Sequence, residues 1–199
     1  MKKTIIFPFL LLTTWAFGQL SFGLKGGVNI SNFSGGDFSN VEKSAITTFH
    51  AGVLVHLGIA QHLVLEPELV YSEQGAKLKS AGSEHDFKIG YINVPIMLQY
   101  ETDGGFYVEA GPQFGFKASE SLPDSFKQDF AKSTDVAIGL GLGFHTKGGF
   151  GIGGRYNVGI SKVGDFDASN INPDFKNAVI QISLFYTFMN KKRKEKKEQ

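Results

Sequence analysis

Alternation of apolar and polar residues is the feature that most constrains how this chain can fold. It recurs in eight stretches between Leu20 and Phe188 that are rich in glycine and aromatic residues. Successive side chains of a β-strand point to opposite faces, so each stretch is expected to form a strand with one apolar and one polar face. The predicted strands are 20–31, 46–58, 61–73, 86–101, 105–118, 133–146, 149–162 and 176–189.

The connections between these strands are alternately long and short. The long ones are 32–45, 74–85, 119–132 and 163–175, and the short ones, with small and polar turn residues, fall near 59–60, 102–104 and 146–148. Barrels of bacterial outer membranes have short periplasmic turns and longer extracellular loops, and an even strand number returns both ends to one side. The pattern therefore predicts an all-β fold, an eight-stranded antiparallel up-and-down transmembrane β-barrel with both termini in the periplasm.

The apolar faces of the predicted strands show which side meets lipid. In strand 86–101, one face carries the large residues Ile92, Val94, Ile96, Leu98 and Tyr100. Strands 149–162 and 176–189 repeat this pattern with large apolar residues on one face. Eight such faces would overfill an eight-stranded barrel, whose interior is only just wide enough for side chains. The apolar faces must therefore form an outer belt in lipid. An open sheet edge would leave unpaired backbone groups there, so the sheet must close.

The opposite face lines the lumen and carries charged residues. They are Lys25, Glu66, Glu68, Glu109 and Arg155. Buried charges have to be paired, so we expect a salt-bridge network that plugs the lumen. Paired carboxylates acting as acid and base, or a gated ion path, are the alternatives. Glycines on the same face are expected to leave room for the larger polar side chains opposite; they are Gly23, Gly27, Gly139, Gly141, Gly143, Gly151 and Gly153.

The two ends of the chain are expected to lie outside the barrel. Lys2 and Lys3 precede an apolar run that ends near small residues at 16–18, which is typical of a secretory signal peptide. We therefore predict a signal peptide over 1–18 that is removed, an outer-membrane barrel over 19–190 and a basic periplasmic tail over 191–199. The tail is either a solvated end or an electrostatic contact to anionic headgroups or cell wall.

Composition narrows the classes of function. Without residues 1–18 the chain is close to electrical neutrality, whereas a nucleic-acid surface would be basic over the folded domain. Cysteine is absent from the sequence, which excludes disulfides and thiolate metal sites. We therefore expect no nucleic-acid partner and no cofactor.

Five motifs within the strands resemble the PorT-like family of outer-membrane β-barrel proteins. They span nearly the whole predicted mature chain and lie at Gly23–Asn32, Leu65–Lys77, Tyr91–Tyr100, Glu109–Gly115 and Arg155–Gly159. The resemblance implies a barrel in the outer membrane, whereas no activity follows from it. Such chains usually end close to their last aromatic residue, which the barrel-assembly machinery reads. Here eleven residues follow Phe188, so Tyr186 and Phe188 are expected to act as a displaced assembly signal.

Catalytic and metal-binding residues are not expected. His50 and His56 share a face but lie roughly 20 Å apart at strand rise, and His56 and His62 flank the first short turn as two ligands without a third. Ser72, Ser161 and Ser183 point inward, but none has a histidine at a readable offset for nucleophilic catalysis. The stretch 165–174 begins like a calcium loop but lacks its central Gly and bidentate Glu, so a plain polar loop or a weak cation site is expected.

Three classes of function stay open from the sequence. The leading one is a small structural or interaction barrel without enzymatic activity, held in outer-membrane lipid and offering its extracellular loops to a protein partner, because long loops on a rigid scaffold commonly carry binding. A narrow channel is the first alternative, although aqueous pores usually have sixteen or more strands. A lipid-modifying enzyme is the second, although it would need a nucleophile beside a base.

Overall fold

The computed structural model describes five ranges of the chain. They are 20–35, 42–80, 83–121, 131–164 and 174–188. The predicted signal peptide, the basic tail and the calcium-like stretch 165–174, apart from its last residue Asp174, lie outside these ranges. No helix within them is long and apolar enough to cross a membrane.

Eight strands close into a ring, and a ninth short strand adds to it. The strands are β1 (Leu20–Gly35), β2 (Glu42–Ser44), β3 (Ile46–Gly58), β4 (Leu63–Ser80), β5 (Ser83–Glu101), β6 (Phe106–Ser121), β7 (Thr134–His145), β8 (Phe150–Gly159) and β9 (Phe175–Phe188). Antiparallel pairs run in the order β1, β3, β4, β5, β6, β7, β8, β9 and back to β1. The predicted eight-stranded antiparallel barrel is therefore confirmed, and β2 pairs with β4 beside it.

Tight turns join the strands at one end, as predicted. In the last two turns the amide of a glycine, Gly105 or Gly149, donates to the carbonyl of Thr102 at 2.9 Å or of Thr146 at 3.0 Å. Both glycines have a positive φ, 91° and 93°, which residues with a Cβ adopt only with strain. Their hydroxyl-bearing neighbours Thr102 and Thr146 also donate to the first carbonyl of the next strand.

The range 74–85, predicted as a long connection, is instead largely strand. β4 continues to Ser80 and pairs there directly with Ser83 of β5. Alternation persists through this stretch with inverted polarity, since Ala76 and Leu78 are buried while Lys79 is exposed. The prediction was wrong because charged residues on the outer face resembled a loop. We call residues 75–80 of β4 and 83–90 of β5 the outer extension.

The apolar belt lies on the outside of the barrel. In β8 and β9 the exposed residues are the large apolar ones, with Phe150 67% and Leu184 66% exposed, and the lumen side of the same strands is largely buried. Side chains of Leu24, Val53, Leu69, Leu98, Val108, Leu140 and Ile152 continue the belt around the ring. The predicted assignment of faces is confirmed in all three strands used for it.

Candidate functional site: the filled lumen

The five predicted lumen charges lie in one network of ion pairs. Lys25 Nζ of β1 lies 2.8 Å from Glu68 Oε1 of β4 and 3.8 Å from Glu66 Oε1. Arg155 of β8 donates from Nη2 to Glu68 Oε1 at 2.5 Å and from Nε to Glu109 Oε1 of β6 at 2.6 Å. β4 and β8 occupy opposite positions in the ring, so the contact between Arg155 and Glu68 crosses the lumen.

Hydrogen bonds extend this network on both sides. Gln99 Nε2 of β5 donates to Glu109 Oε2 at 3.0 Å, and His56 Nδ1 of β3 lies 3.2 Å from Glu66 Oε2. Glu66 and Glu68 are 2% and 4% exposed. Charges buried this deeply are tolerated only when they are paired and hydrogen-bonded, and here each carboxylate has a basic or amide partner.

Glycines on neighbouring strands make the space for these side chains. A Cβ on Gly141 would collide with the Glu109 side chain, and a Cβ on Gly139 would meet those of Asn157 and Arg155. The other predicted glycines make room in the same way. Gly23 faces the side chain of Leu54, Gly27 that of His50, Gly143 and Gly153 that of Tyr107, and Gly151 that of Phe185. The predicted role of the inward glycines is therefore confirmed, except that two of them face apolar side chains.

A second polar chain, missed by the sequence reasoning, lies farther along the lumen. His50 Nε2 lies 2.8 Å from Ser183 Oγ, and His50 Nδ1 lies 2.8 Å from Asn29 Oδ1. Gln181 Nε2 also donates to Asn29 Oδ1, at 3.1 Å. Ser183 therefore has a histidine beside it at no readable sequence offset, because the barrel brings β3, β1 and β9 together across large sequence separations. All four residues of this polar chain are buried.

The histidines near the short turns pair differently from the prediction. His62, which flanks the first short turn together with His56, lies 3.0 Å through Nδ1 from the backbone oxygen of Glu101 and packs near the Tyr100 ring. His56 faces His145 of β7, with 5.2 Å between ring centroids. Flanking a common turn relates only neighbouring strands, whereas inward residues at strand ends also meet across the mouth of the barrel.

The extracellular end of the lumen is filled by apolar side chains. They form one buried cluster, here called the outer cluster, of Phe33, Ala76, Leu78, Phe87, Ile89, Tyr91, Ala131, Val163 and Phe175. The rings of Phe33 and Phe175 lie 4.5 Å apart. Above the ion-pair network, the lumen thus changes from polar to apolar filling.

The predicted assembly-signal residues lie on the seam where the barrel closes. β9 pairs with β1, and Phe188 is opposite Phe22 at the end of that pairing. Phe188 is 55% exposed on the outer face, and its ring lies 5.3 Å from that of Tyr186. Aromatic rings on the outer face near the ends of barrel strands are typical of the membrane interface.

Solved structures with similar folds are outer-membrane barrels. OprG from Pseudomonas aeruginosa matches with a TM-score of 0.53 and 16% identity, covering 85% of this chain and 96% of that chain. Neisserial surface protein A gives 0.49 and 14%, covering 84% and 97%, and AlkL gives 0.47 and 15%, covering 96% and 98%. At such identities the likeness to OprG supports the fold alone.

Family membership follows from the sequence itself. No curated protein sequence matches the chain significantly. The family model described as the outer membrane protein beta-barrel domain matches residues 14–165, which is more than half of the chain. The protein therefore belongs to the family of bacterial outer-membrane proteins built on this β-barrel domain.

Proposed function

We propose that the protein is a small structural or interaction barrel whose lumen is closed by its own side chains. The observation that supports this most is the bond from Arg155 to Glu68, which joins opposite strands of the ring. An eight-stranded interior leaves little room beyond its side chains, and here the charged ones meet across it. The five lumen charges then act as a plug rather than as catalysts or an ion path.

The outer cluster provides a second closure above this plug. Phe175, Ile89 and Tyr91 are fully buried within it, and between the two layers lie the bonds of Asn29 and Ser72. An ion entering from outside would have to leave water at an apolar layer and then displace paired charges. Both steps disfavour a channel.

A binding role is proposed for the extracellular side. Within the described ranges, the outer extension presents charged side chains on its outer face, including Lys77, Glu84 and Asp86. Rigid strands that carry polar groups outward suit contact with a protein partner. Residues 36–41, 122–130 and 165–173, which complete the other predicted loops, lie outside the described ranges.

Finer assignments belong to the same proposal. The motifs named above support placement in the PorT-like branch of the family. The exposed apolar belt supports direct contact with outer-membrane lipid. The aromatic pair Tyr186 and Phe188 at the closing seam supports recognition by the barrel-assembly machinery during insertion.

Conductance in planar bilayers tests the closed lumen. The wild-type protein is expected to insert without unitary current steps, because both layers block the path. Because the chain has no cysteine, a Ser72→Cys variant can report access to the space between the layers, and Ser44→Cys at an exposed position of β2 is the matched control. We expect a charged thiol reagent to label the control only.

Other outcomes would favour the alternatives. Sustained unitary current together with labelling of Ser72→Cys would replace the plug by a narrow channel. A mass shift of lipid A on expression, abolished by Ser183→Ala, would instead favour a lipid-modifying enzyme.

Crosslinked capture from intact outer membranes tests the interaction role. It should recover a partner protein that is lost when the outer extension is shortened. If the same protein is recovered after that deletion, the outer extension is not the binding surface.

A further inference from the structure

Three side chains at the periplasmic mouth have the composition and spacing of a metal site. They are His56 at the end of β3, Glu101 at the end of β5 and His145 at the end of β7. His56 Nε2 lies 3.7 Å from Glu101 Oε2, and His145 Nδ1 lies 3.8 Å from the same oxygen. One ligand atom from each residue lies within 4.8 Å of the other two.

The two distances to Glu101 are close to those between ligands that share an ion. Imidazole nitrogens and carboxylate oxygens bind Zn²⁺ at about 2.0–2.2 Å, which puts tetrahedral ligands about 3.4 Å apart. Both distances exceed this by a few tenths of an ångström. Small rotations of side chains at the strand ends would close that difference.

Each imidazole is held so that its inward nitrogen can bind. The proton of His56 is placed on Nδ1 by Glu66, a carboxylate that only accepts, at 3.2 Å. His145 Nε2 lies 2.9 Å from Thr187 Oγ1, whose own hydroxyl points to the carbonyl of Gly149 at 3.4 Å. A proton on Nε2 of His145 therefore satisfies this contact, and the lone pairs of His56 Nε2 and His145 Nδ1 face Glu101.

Outer partners of this kind are usual around bound metals. Ligating histidines almost always donate their other ring N–H to a carboxylate, carbonyl or similar acceptor, which fixes the ring orientation. Here the acceptors, Glu66 and Thr187, come from β4 and β9. The arrangement therefore has both a set of ligands and a set of groups that orient them.

The three residues are also accessible from the periplasm. Their side chains are 14% (His56), 23% (Glu101) and 10% (His145) exposed, and the short turns 59–62, 102–105 and 146–149 lie beside them. Three protein ligands leave a fourth position, which solvent can fill. Two imidazoles and one carboxylate favour zinc-type first-row metals over Ca²⁺ or Mg²⁺, which prefer oxygen ligands alone.

We propose that His56, Glu101 and His145 bind one divalent transition-metal ion of the zinc type at the periplasmic mouth. The ion ties together the ends of three strands that are not neighbours in the ring. This site is independent of the proposed closure of the lumen, and a conducting barrel could carry it equally well.

Zinc binding to the untagged, folded barrel in detergent tests the proposal. Competition with a chromophoric chelator should show one high-affinity Zn²⁺ per wild-type chain. His56→Gln, Glu101→Gln and His145→Gln should each weaken binding by about 100-fold or more, because even loss of an orienting partner typically costs about 10–100-fold. Glu66→Gln should weaken it by about tenfold.

Matched controls separate this site from general histidine binding. His62→Gln removes a histidine at the same mouth that supplies no ligand atom and keeps a side-chain N–H for the backbone oxygen of Glu101, and His85→Gln removes an exposed histidine at the opposite end. Both should bind Zn²⁺ like the wild type. Co²⁺ in place of Zn²⁺ should give visible absorption of a low-symmetry site in the wild type, and this absorption should be lost in the ligand variants.

Several results would overturn the proposal. One is that the wild-type protein takes up no Zn²⁺ in competition with a chelator at micromolar concentration. Another is that the ligand variants bind Zn²⁺ as tightly as the wild type, and a third is that binding is lost in His62→Gln alone. Heat-modified gel mobility identifies any variant that has not folded. Because each of the three residues supplies a separate ligand, any two folded variants are sufficient for the test.

Discussion

The membrane-spanning part of the barrel and its outer extension use the same strands with opposite polarity. In the lower part of β4, Glu66 and Glu68 point into the lumen and Leu69 points outward. In the extension of the same strand, Ala76 and Leu78 are buried and Lys79 is exposed. The parity of the strand is unchanged, so the inversion lies entirely in the choice of residues.

The surroundings of each part explain the inversion. A transmembrane strand needs about 9–11 residues to cross the hydrocarbon core, whereas β4 has 18 and β5 has 19. The surplus stands in water, where an apolar interior and a charged exterior lower the free energy as in any soluble protein. The two regions therefore predict different responses to the same kind of substitution.

Removal of Arg155 should have the largest effect on stability. Arg155→Ala leaves the carboxylates of Glu68 and Glu109 buried without this cation, which is expected to cost about 3–5 kcal/mol. The free energy of unfolding in urea, with the barrel in lipid vesicles, is the measurement. Loss of heat-resistant gel mobility should accompany it.

An exposed ion pair gives the matched control. Lys162 Nζ and Asp174 Oδ2 lie 2.6 Å apart with both side chains about half exposed, at 54% and 47%. Exposed pairs contribute about 0–1 kcal/mol, so Lys162→Ala should change little. An Arg155→Ala barrel as stable as the Lys162→Ala barrel would mean that the lumen network does not hold the strands together.

A positive charge added at an exposed position should separate the two regions next. Leu140 is 55% exposed on the lipid side of β7. It lies at the level of the lumen network, since its neighbour Gly141 is paired with Glu109 of β6 and Arg155 of β8. Leu140→Arg should cost about 2–4 kcal/mol, the usual penalty for such a residue near the bilayer midplane. His85→Arg, in the outer extension, should stay within about 0.5 kcal/mol. Equal penalties would contradict a water-facing extension.

The belt could be predicted from the sequence because alternation depends only on neighbouring residues. Ile92, Val94 and Leu98 identify their face without any knowledge of other strands, and the structure agrees. The extent of β4 and β5 could not be predicted in the same way. Where the environment changes from lipid to water, the polarity rule reverses, and a reversed strand has the composition of a loop.

The sequence could predict which side chains point into the lumen but not which of them contact one another across it. Parity shows that Lys25 and Arg155 point inward, but the tilt and closure of the barrel decide which partners they meet. The pairs of His50 with Ser183 and of His56 with His145 join residues 133 and 89 positions apart. No local spacing encodes these contacts, although inward parity at the same level of the barrel does narrow the candidates.

The same small deletion should also have different costs in the two regions. Ile89 is fully buried in the outer cluster, so Ile89→Val should cost about 0.5–1.5 kcal/mol through lost packing. Ile152 is 52% exposed on the lipid side, where acyl chains can fill the lost volume, and Ile152→Val should cost less. Equilibrium unfolding of both variants checks this, and a larger cost for Ile152→Val would contradict a packed outer cluster.

The smallest effect is expected at the exposed pair of Lys77 and Glu84, whose charged groups lie 2.7 Å apart in the outer extension. Their hydrogen bond lowers the pKa of Glu84 below its usual value of 4.5 and raises the pKa of Lys77 above 10.5. A lowered carboxyl pKa adds stability above the usual pKa that is lost as pH falls through the lowered value. A raised lysine pKa adds stability that is lost only as pH rises through the raised value. The contribution should therefore be constant from pH 6 to 9.

Hydrogen exchange of the backbone amides in the outer extension can measure this contribution locally. Glu84→Gln should speed exchange slightly and by the same factor at pH 6 and pH 9, once the intrinsic pH dependence of exchange is removed, and the difference from the wild type should vanish well below pH 4.5. Added salt should reduce it, because exposed charges are screened. A difference that grows as the pH falls would mean that Glu84 is stabilised in its protonated form, which would place the extension in an apolar environment instead of water.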